Sequence, residues 1–161
     1  MQIEEVIVKE LTVKFPYLAG KAAVNRARRI TLFVEQDKFA DLFEYAVSAM
    51  DFHILCTITG FDDGLTIGLI YHLAREDGVM LNVKTCIPRD NPIVKTVTRT
   101  FHGAEIYERE LVDLLGVTVE GLLEGKRYPL PDDWPDGQYP LRKDWKQSVL
   151  ATARDRKVDH A

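Results

Sequence analysis

This chain has little of what active sites are usually built from. Its two cysteines, Cys56 and Cys86, stand thirty positions apart with no CxxC pair. They cannot hold an iron-sulfur cluster, which takes about four ligands, and inside apolar runs they read as buried free thiols of a reducing compartment. Serine occurs only at Ser48 and Ser148, neither in a GxSxG elbow. No glycine-rich phosphate loop is present, so nucleotide binding has no support. His53, His72, His102 and His160 are dispersed without metal-ligand spacing, and those on expected strands, His53 and His72, read as hydrogen-bonded structural residues. Positive charge is not in excess: 21 Lys and Arg against 25 Asp and Glu leave a net charge of −4, which removes the basic face that nucleic acid requires. No apolar run approaches the roughly 20 residues of a membrane span. The start, Met1 to Glu5, lacks the basic-then-apolar order of a signal peptide, and a cytosolic location is expected.

What is present is an ordinary globular composition, 46% hydrophobic and 29% charged over 161 residues, enough for one domain with a sizeable core. Ile3, Val6, Ile7, Leu11 and Phe15 approximate a helical stripe that Pro16 and Gly20 break. Arg29 to Glu35 alternates as a half-buried strand, with Ala22 to Arg28 as its hairpin partner around Asn25–Arg26. Asp37 opens a helix carrying Phe39, Leu42, Phe43, Ala46 and Met50 at helical spacing, with the Asp capping free amides and complementing the dipole. Phe52–Phe61, Leu65–Leu73 and Val79–Thr85 read as three antiparallel strands joined at Asp62-Asp63-Gly64 and Glu76-Asp77-Gly78. Pro92 suits the first turn of a helix over 93–100. A final helix spans Ala104–Leu115 and ends at Gly116; beyond it no periodicity remains. The expected fold is α/β of the α+β type, a mainly antiparallel sheet with helices on one face and a long extended C-terminal arm. Its organisation is a domain over 1–116, an arm over 117–147, and a small, charged, frayed tail over 148–161.

Two stretches carry candidate chemistry. On the last helix, Arg109 lies four positions from both Glu105 and Asp113. Paired carboxylates could act as acid and base, but an arginine between them lowers their pKa values. A solvated salt-bridge face is the plainer reading, and a charged patch that fixes docking register is a third. Asp132, Asp133 and Asp136 lack the spacing of a calcium loop. The second stretch is the arm. Four of the seven prolines fall between Pro129 and Pro140, and both tryptophans, Trp134 and Trp145, lie in the same run. Proline excludes a helix interior or central strand, while the aromatics are unlike a disordered tail. A stiff segment with bulky anchors and both signs of charge reads as an arm that binds protein; the alternative is that it wraps its own sheet.

Glu108-Arg109-Glu110 with Asp113-Leu114 and Gly116-Val117, then Leu130-Pro131-Asp132-Asp133-Trp134 and Pro140-Leu141-Arg142-Lys143-Asp144, resemble the signature of the C-subunit family of respiratory complex I (NADH-quinone oxidoreductase), which is shared with energy-converting membrane-bound [NiFe] hydrogenases and formate hydrogenlyases. The Tyr71-His72-Leu73 strand also resembles the family, and the resemblance covers roughly residues 25 to 146. It implies a cofactor-free subunit, not catalytic by itself, in the hydrophilic arm of an ion-translocating redox complex. Such a subunit packs against the large catalytic subunit and near the small iron-sulfur subunit, with iron-sulfur clusters, and nickel-iron in the hydrogenase type, held by those neighbours. It implies attachment to the cytoplasmic face of the membrane only through the complex. By the same resemblance Glu108, Arg109, Glu110 and Asp113 fix the base of the arm, and Trp134 and Trp145 anchor it. Gly116, Arg127, Leu130, Pro131, Asp132, Asp133, Pro140, Leu141, Arg142, Lys143 and Asp144 complete the expected partner-binding set. Leu122-Leu123 and Leu115 depart from the family pattern and lean the expectation toward a hydrogenase-type complex. Two other readings stay open: a stand-alone small enzyme acting at the Glu108–Asp113 helix, and a soluble adaptor using the arm.

Overall fold

The computed structural model describes residues 2–147; the frayed tail expected over 148–161 lies outside them. The expected mixture of helix and sheet is found. Helix α1 (Ile3–Lys14) opens with a capping box between Gln2 and Glu5 and buries Ile7 and Leu11. After a short 3-10 turn at Pro16–Leu18 come β1 (Ala22–Arg26) and β2 (Arg29–Phe33). Helix α2 (Gln36–Ser48) follows, buries Leu42, Phe43 and Ala46, and packs the rings of Phe39 (tilted) and Phe43 (edge to face) against Tyr71 with centroids 4.6 and 5.6 Å apart. Asp37 lies in its first turn, complementing the dipole, but makes no side-chain cap. Strands β3 (Ile54–Asp62), β4 (Thr66–Ala74) and β5 (Met80–Pro88) form the expected meander. Then come β6 (Ile93–Lys95), α3 (Ala104–Leu115) and β7 (Thr118–Glu120).

The five-stranded sheet has the order β1-β2-β5-β4-β3. Strands β1 and β2 pair antiparallel, with the turn at Ala27–Arg28 instead of Asn25–Arg26; Arg28 takes the left-handed φ of 59°. Strand β5 pairs parallel with β2, Ile30 opposite Leu81 and Leu32 opposite Val83. Those four side chains are buried, as are Leu69, Tyr71 and Leu73 of β4. The opposite face carries one polar row that crosses every strand. Thr59 meets the His72 ring at 3.0 Å, His72 Nδ1 meets Asn82 Oδ1 at 2.8 Å, Asn82 Nδ2 reaches Thr31 at 3.5 Å, and the Thr31 hydroxyl donates to Asn25 at 2.6 Å. The expected structural role of His72 is thereby met.

Three expectations are corrected. Residues 93–100 are not a helix: five of the six residues from Ile93 to Thr98 are β-branched, poor helix formers, and the segment instead pairs as β6 with β7 in a parallel two-stranded sheet. Residues after Gly116 do contain a regular element, β7 itself. The cysteines form no disulfide but are not buried, since Cys56 is exposed and Cys86 half-buried at outward positions of their strands.

By internal contact the chain forms two compact units. One comprises residues up to Gly60 and Gly68–Ile87, with the core just described. The other comprises Phe61–Ile67, the β3–β4 turn with the strand ends beside it, together with the described residues from Pro88 onward; its core holds Ile67, Val94, Val97, Ala104, Leu111, Leu115, Val117 and Val119.

Candidate docking site

The expected partner-binding residues all belong to the second unit, and helix α3 organises them. Its inward face carries Ala104, Glu108, Leu111 and Leu115 at helical spacing. Glu108 is therefore a carboxylate in a core position, 1% exposed. It accepts hydrogen bonds from the Thr96 hydroxyl at 2.6 Å and the Val97 amide at 2.7 Å, which ties the segment after β6 to the helix. Burial pushes its pKa up, against the pull of those two bonds.

Arg109 does not sit between two carboxylates. Its guanidinium pairs with Glu105 at 2.7 Å and donates to the carbonyls of Leu123 at 2.8 Å and Lys126 at 3.4 Å. Asp113 is instead met by Arg127 at 3.5 Å and accepts the Leu130 amide at 3.2 Å. The expectation of a solvated salt-bridge face is thus corrected for Asp113, which is buried; Glu105, partly exposed and paired with Arg109, fits it.

Gly116 closes the helix at φ 69°, and the Tyr139 ring lies where a side chain would stand. From there the arm folds along α3. Arg127 donates to the Trp134 carbonyl at 2.6 Å and pairs with Asp136 at 3.1 Å. The Trp134 amide donates to the Pro131 carbonyl, its indole N–H donates to the Gln138 carbonyl, and its ring stacks on Trp145 with centroids 6.1 Å apart. The last carbonyls of α3 have no partner inside the helix; Leu141 N–H donates to that of Leu114 at 3.0 Å and Arg142 Nε to that of Leu115 at 2.7 Å. A cationic side chain at that end also complements the dipole, and the Arg142 guanidinium lies over the Tyr139 ring.

Lys143 and Asp144 then meet residues absent from the expected set. The Lys143 amide donates to Asp62 at 3.0 Å, its ammonium to the Asp63 carbonyl at 2.9 Å, and Asp144 pairs with Arg89 at 2.5 Å. Arg89 pairs in turn with Asp62 at 3.0 Å. Burial by itself raises the Asp62 carboxyl, but the amides of Lys143 and Gly64 and the Arg89 guanidinium outweigh it and hold its pKa below the ordinary value. Asp63, held by the amide and hydroxyl of Thr66 and the amide of Leu65, is lowered to about 2. Asp62 was legible only as a turn residue, and nothing near Arg89 marked it. Left outward are Asp132, Asp133 and the apolar Leu123, Tyr128 and Leu141. Beside them a cleft of about 410 Å³ runs between the end of α3, β7 and residues 136–139.

Most of these charges bond to backbone or to an opposite charge within the unit. Among the described residues no group of three or more His, Cys, Asp or Glu side chains is placed to hold a metal ion. Residues 32–149 match the family model described as the respiratory-chain NADH dehydrogenase, 30 Kd subunit. The chain belongs to that family.

The chain is also similar to two relatives and one solved structure. It is 36% identical to the C subunit of the F(420)H(2) dehydrogenase of Methanosarcina mazei, over 92% of this chain and 96% of that protein. It is 26% identical to the membrane-bound hydrogenase subunit beta of Pyrococcus furiosus, over 91% and 88% respectively. A chain in the structure of the membrane-bound sulfane sulfur reductase, an archaeal respiratory membrane complex, superposes with a TM-score of 0.79 at 34% identity, covering 98% of this chain and 94% of its own. In this member of the 30 Kd subunit family, no helix among the described residues is long and apolar enough to cross a membrane.

Proposed function

We propose that this chain is a non-catalytic, cofactor-free assembly subunit in the hydrophilic arm of a membrane-associated, ion-translocating oxidoreductase. It docks at the cytoplasmic face through the surface built on α3 and the arm, onto the large catalytic subunit and the small iron-sulfur subunit. One observation carries the reading. Proteins similar to it over nearly their whole length are named for three different reactions, as an F(420)H(2) dehydrogenase subunit, a hydrogenase subunit and a chain of a sulfane sulfur reductase. A chain shared among different reactions is not the part that selects the reaction. The site geometry supports this, because its charges hold backbone in place and the two carboxylates that line the cleft, Asp113 and Asp136, are both paired with Arg127.

The test is affinity recovery of the tagged chain from gently solubilised membranes. Wild type brings down an iron-bearing assembly, and the double variant Trp134→Ala/Trp145→Ala, which removes both arm aromatics, loses it. Nickel in that assembly identifies a hydrogenase-type complex; oxidation of NADH or of reduced F420 without nickel identifies a dehydrogenase. A lone chain with turnover of its own overturns the reading.

A further inference from the structure

We infer that Asp62 and Arg89 are positioning residues for the docking surface, forming a clasp that seats the arm on its own unit before any partner is met. The Pro140-Leu141-Arg142-Lys143-Asp144 motif works inside the chain. Every charged residue in it bonds within the unit: Arg142 to the end of α3, Lys143 to Asp62 and Asp63, Asp144 to Arg89. Asp62 is the centre of this clasp. Its side chain is fully buried at the β3–β4 turn, where it accepts from the Gly64 amide at 2.8 Å, the Lys143 amide at 3.0 Å and Arg89 Nε at 3.0 Å. A buried carboxylate with three donors, two of them from segments distant in sequence, fixes the path of both. Arg89 then reaches from Asp62 to Asp144, so one guanidinium bridges the turn and the arm.

The clasp sets the place of the arm aromatics. The Trp145 amide donates to the Arg142 carbonyl, and its ring stacks on Trp134, whose carbonyl Arg127 holds. An arm seated in this way presents Asp132, Asp133, Leu123 and Leu141 as a ready surface, and association avoids the ordering cost that a disordered segment bears on binding. The consequence for assembly rests on the docking reading above; the clasp itself is a property of the single chain.

Both tryptophans of the sequence lie in the arm, so indole fluorescence of the purified full chain reports on the arm alone. Wild type is expected to show indoles shielded from acrylamide and slow amide exchange at Leu141 and Lys143. In Asp62→Asn the carboxylate charge is lost, and protection at those amides falls about tenfold or more while the far-UV spectrum is kept. Asp62→Glu, which retains the carboxylate, restores part of the protection. If Asp62→Asn does not fold, Arg89→Gln, which leaves Asp62 in place, carries the same expectation. Indoles already as open to quencher in wild type as in free peptide, or protection unchanged in the folded variants, overturns the clasp. Intact recovery of the assembly with an unprotected free arm removes this inference alone; a protected arm with no assembly removes the docking reading alone.

Discussion

Removing the Glu108 carboxylate strands the buried Val97 amide and leaves the Thr96 hydroxyl with only Thr98 as its side-chain partner. Glu108→Ala is therefore expected to destabilise the chain by about 2–3 kcal/mol, and Glu108→Gln, which keeps an acceptor, by about 1 kcal/mol, both read by urea unfolding. Gly116 is the second sensitive position. Gly116→Ala forces a side chain into a left-handed φ and into the Tyr139 ring, so a loss above about 1 kcal/mol is expected, with displacement of Tyr139 as its structural mark. Neither role was fully legible. Gly116 read as a helix end because glycine after an apolar stripe has one main use. Glu108 looked like one more charge on a charged helix; its burial depends on Thr96 and Val97, supplied by a segment whose pairing no local pattern reveals.

Among the elements, the polar row across the sheet makes a sharp prediction. A single direction of donation satisfies it: Thr59 hydroxyl to His72 Nε2, His72 Nδ1–H to Asn82, Asn82 to Thr31, Thr31 to Asn25. His72 is thus expected as the Nδ1–H tautomer in its neutral form, checked by nitrogen chemical shifts. Asn82→Ala should abolish that preference at a cost of about 1 kcal/mol. The strands themselves were readable, since Leu69, Tyr71 and Leu73, and Leu81 and Val83, alternate cleanly. The parallel pairing of β5 with β2 was not, because it joins segments about fifty residues apart and leaves no trace in either strand. The misread helix at 93–100 shows the reverse error, where Pro92 as a start signal outweighed a β-branched run that favours extended chain.

Acid sensitivity belongs to the same scale: the β3–β4 turn carries two carboxylates held below their ordinary pKa, and Glu4 and Asp77 are lowered likewise. The folded-state pKa values of Asp62 and Asp63 lie below their ordinary values, Asp63 at about 2. Their contribution to stability is present above the ordinary carboxylate pKa of about 4 and is lost as pH falls through the folded values toward about 2. Glu108 runs the other way: its raised pKa favours the fold at acid pH, and that contribution is lost as pH rises through the raised value. Thermal unfolding followed from pH 7 to 2 should therefore show a steep loss below about pH 4. Asp63→Asn should flatten that loss, and Glu108→Gln should lower stability least near neutral pH, where the native carboxylate is at its costliest.

For the molecule as a whole, the proline- and tryptophan-rich stretch from Pro129 to Trp145 announced an ordered arm, and its motifs announced the family that the match over residues 32–149 shows. What could not be read was the division of labour within those motifs. Residues expected to meet a partner, among them Arg127, Arg142, Lys143 and Asp144, also hold the arm to its own unit, and the groups that receive them, Asp113, the Leu115 carbonyl, Asp62 and Arg89 respectively, lie well before them in the chain with no local pattern to mark them. The exposed pair Asp132 and Asp133 is left to face outward. Asp132→Lys/Asp133→Lys is expected to keep the stability of the isolated chain within about 0.5 kcal/mol while slowing association with the partner and altering its salt dependence.

The central claim, a non-catalytic subunit held in a larger redox assembly, is tested most directly by the mass and iron content of the particle in which the untagged wild-type chain elutes after gentle membrane solubilisation. The expected result is co-elution with larger, iron-bearing subunits in fixed ratio. Elution as a single chain of 18.4 kDa without iron, under conditions that keep the other membrane complexes whole, would contradict it.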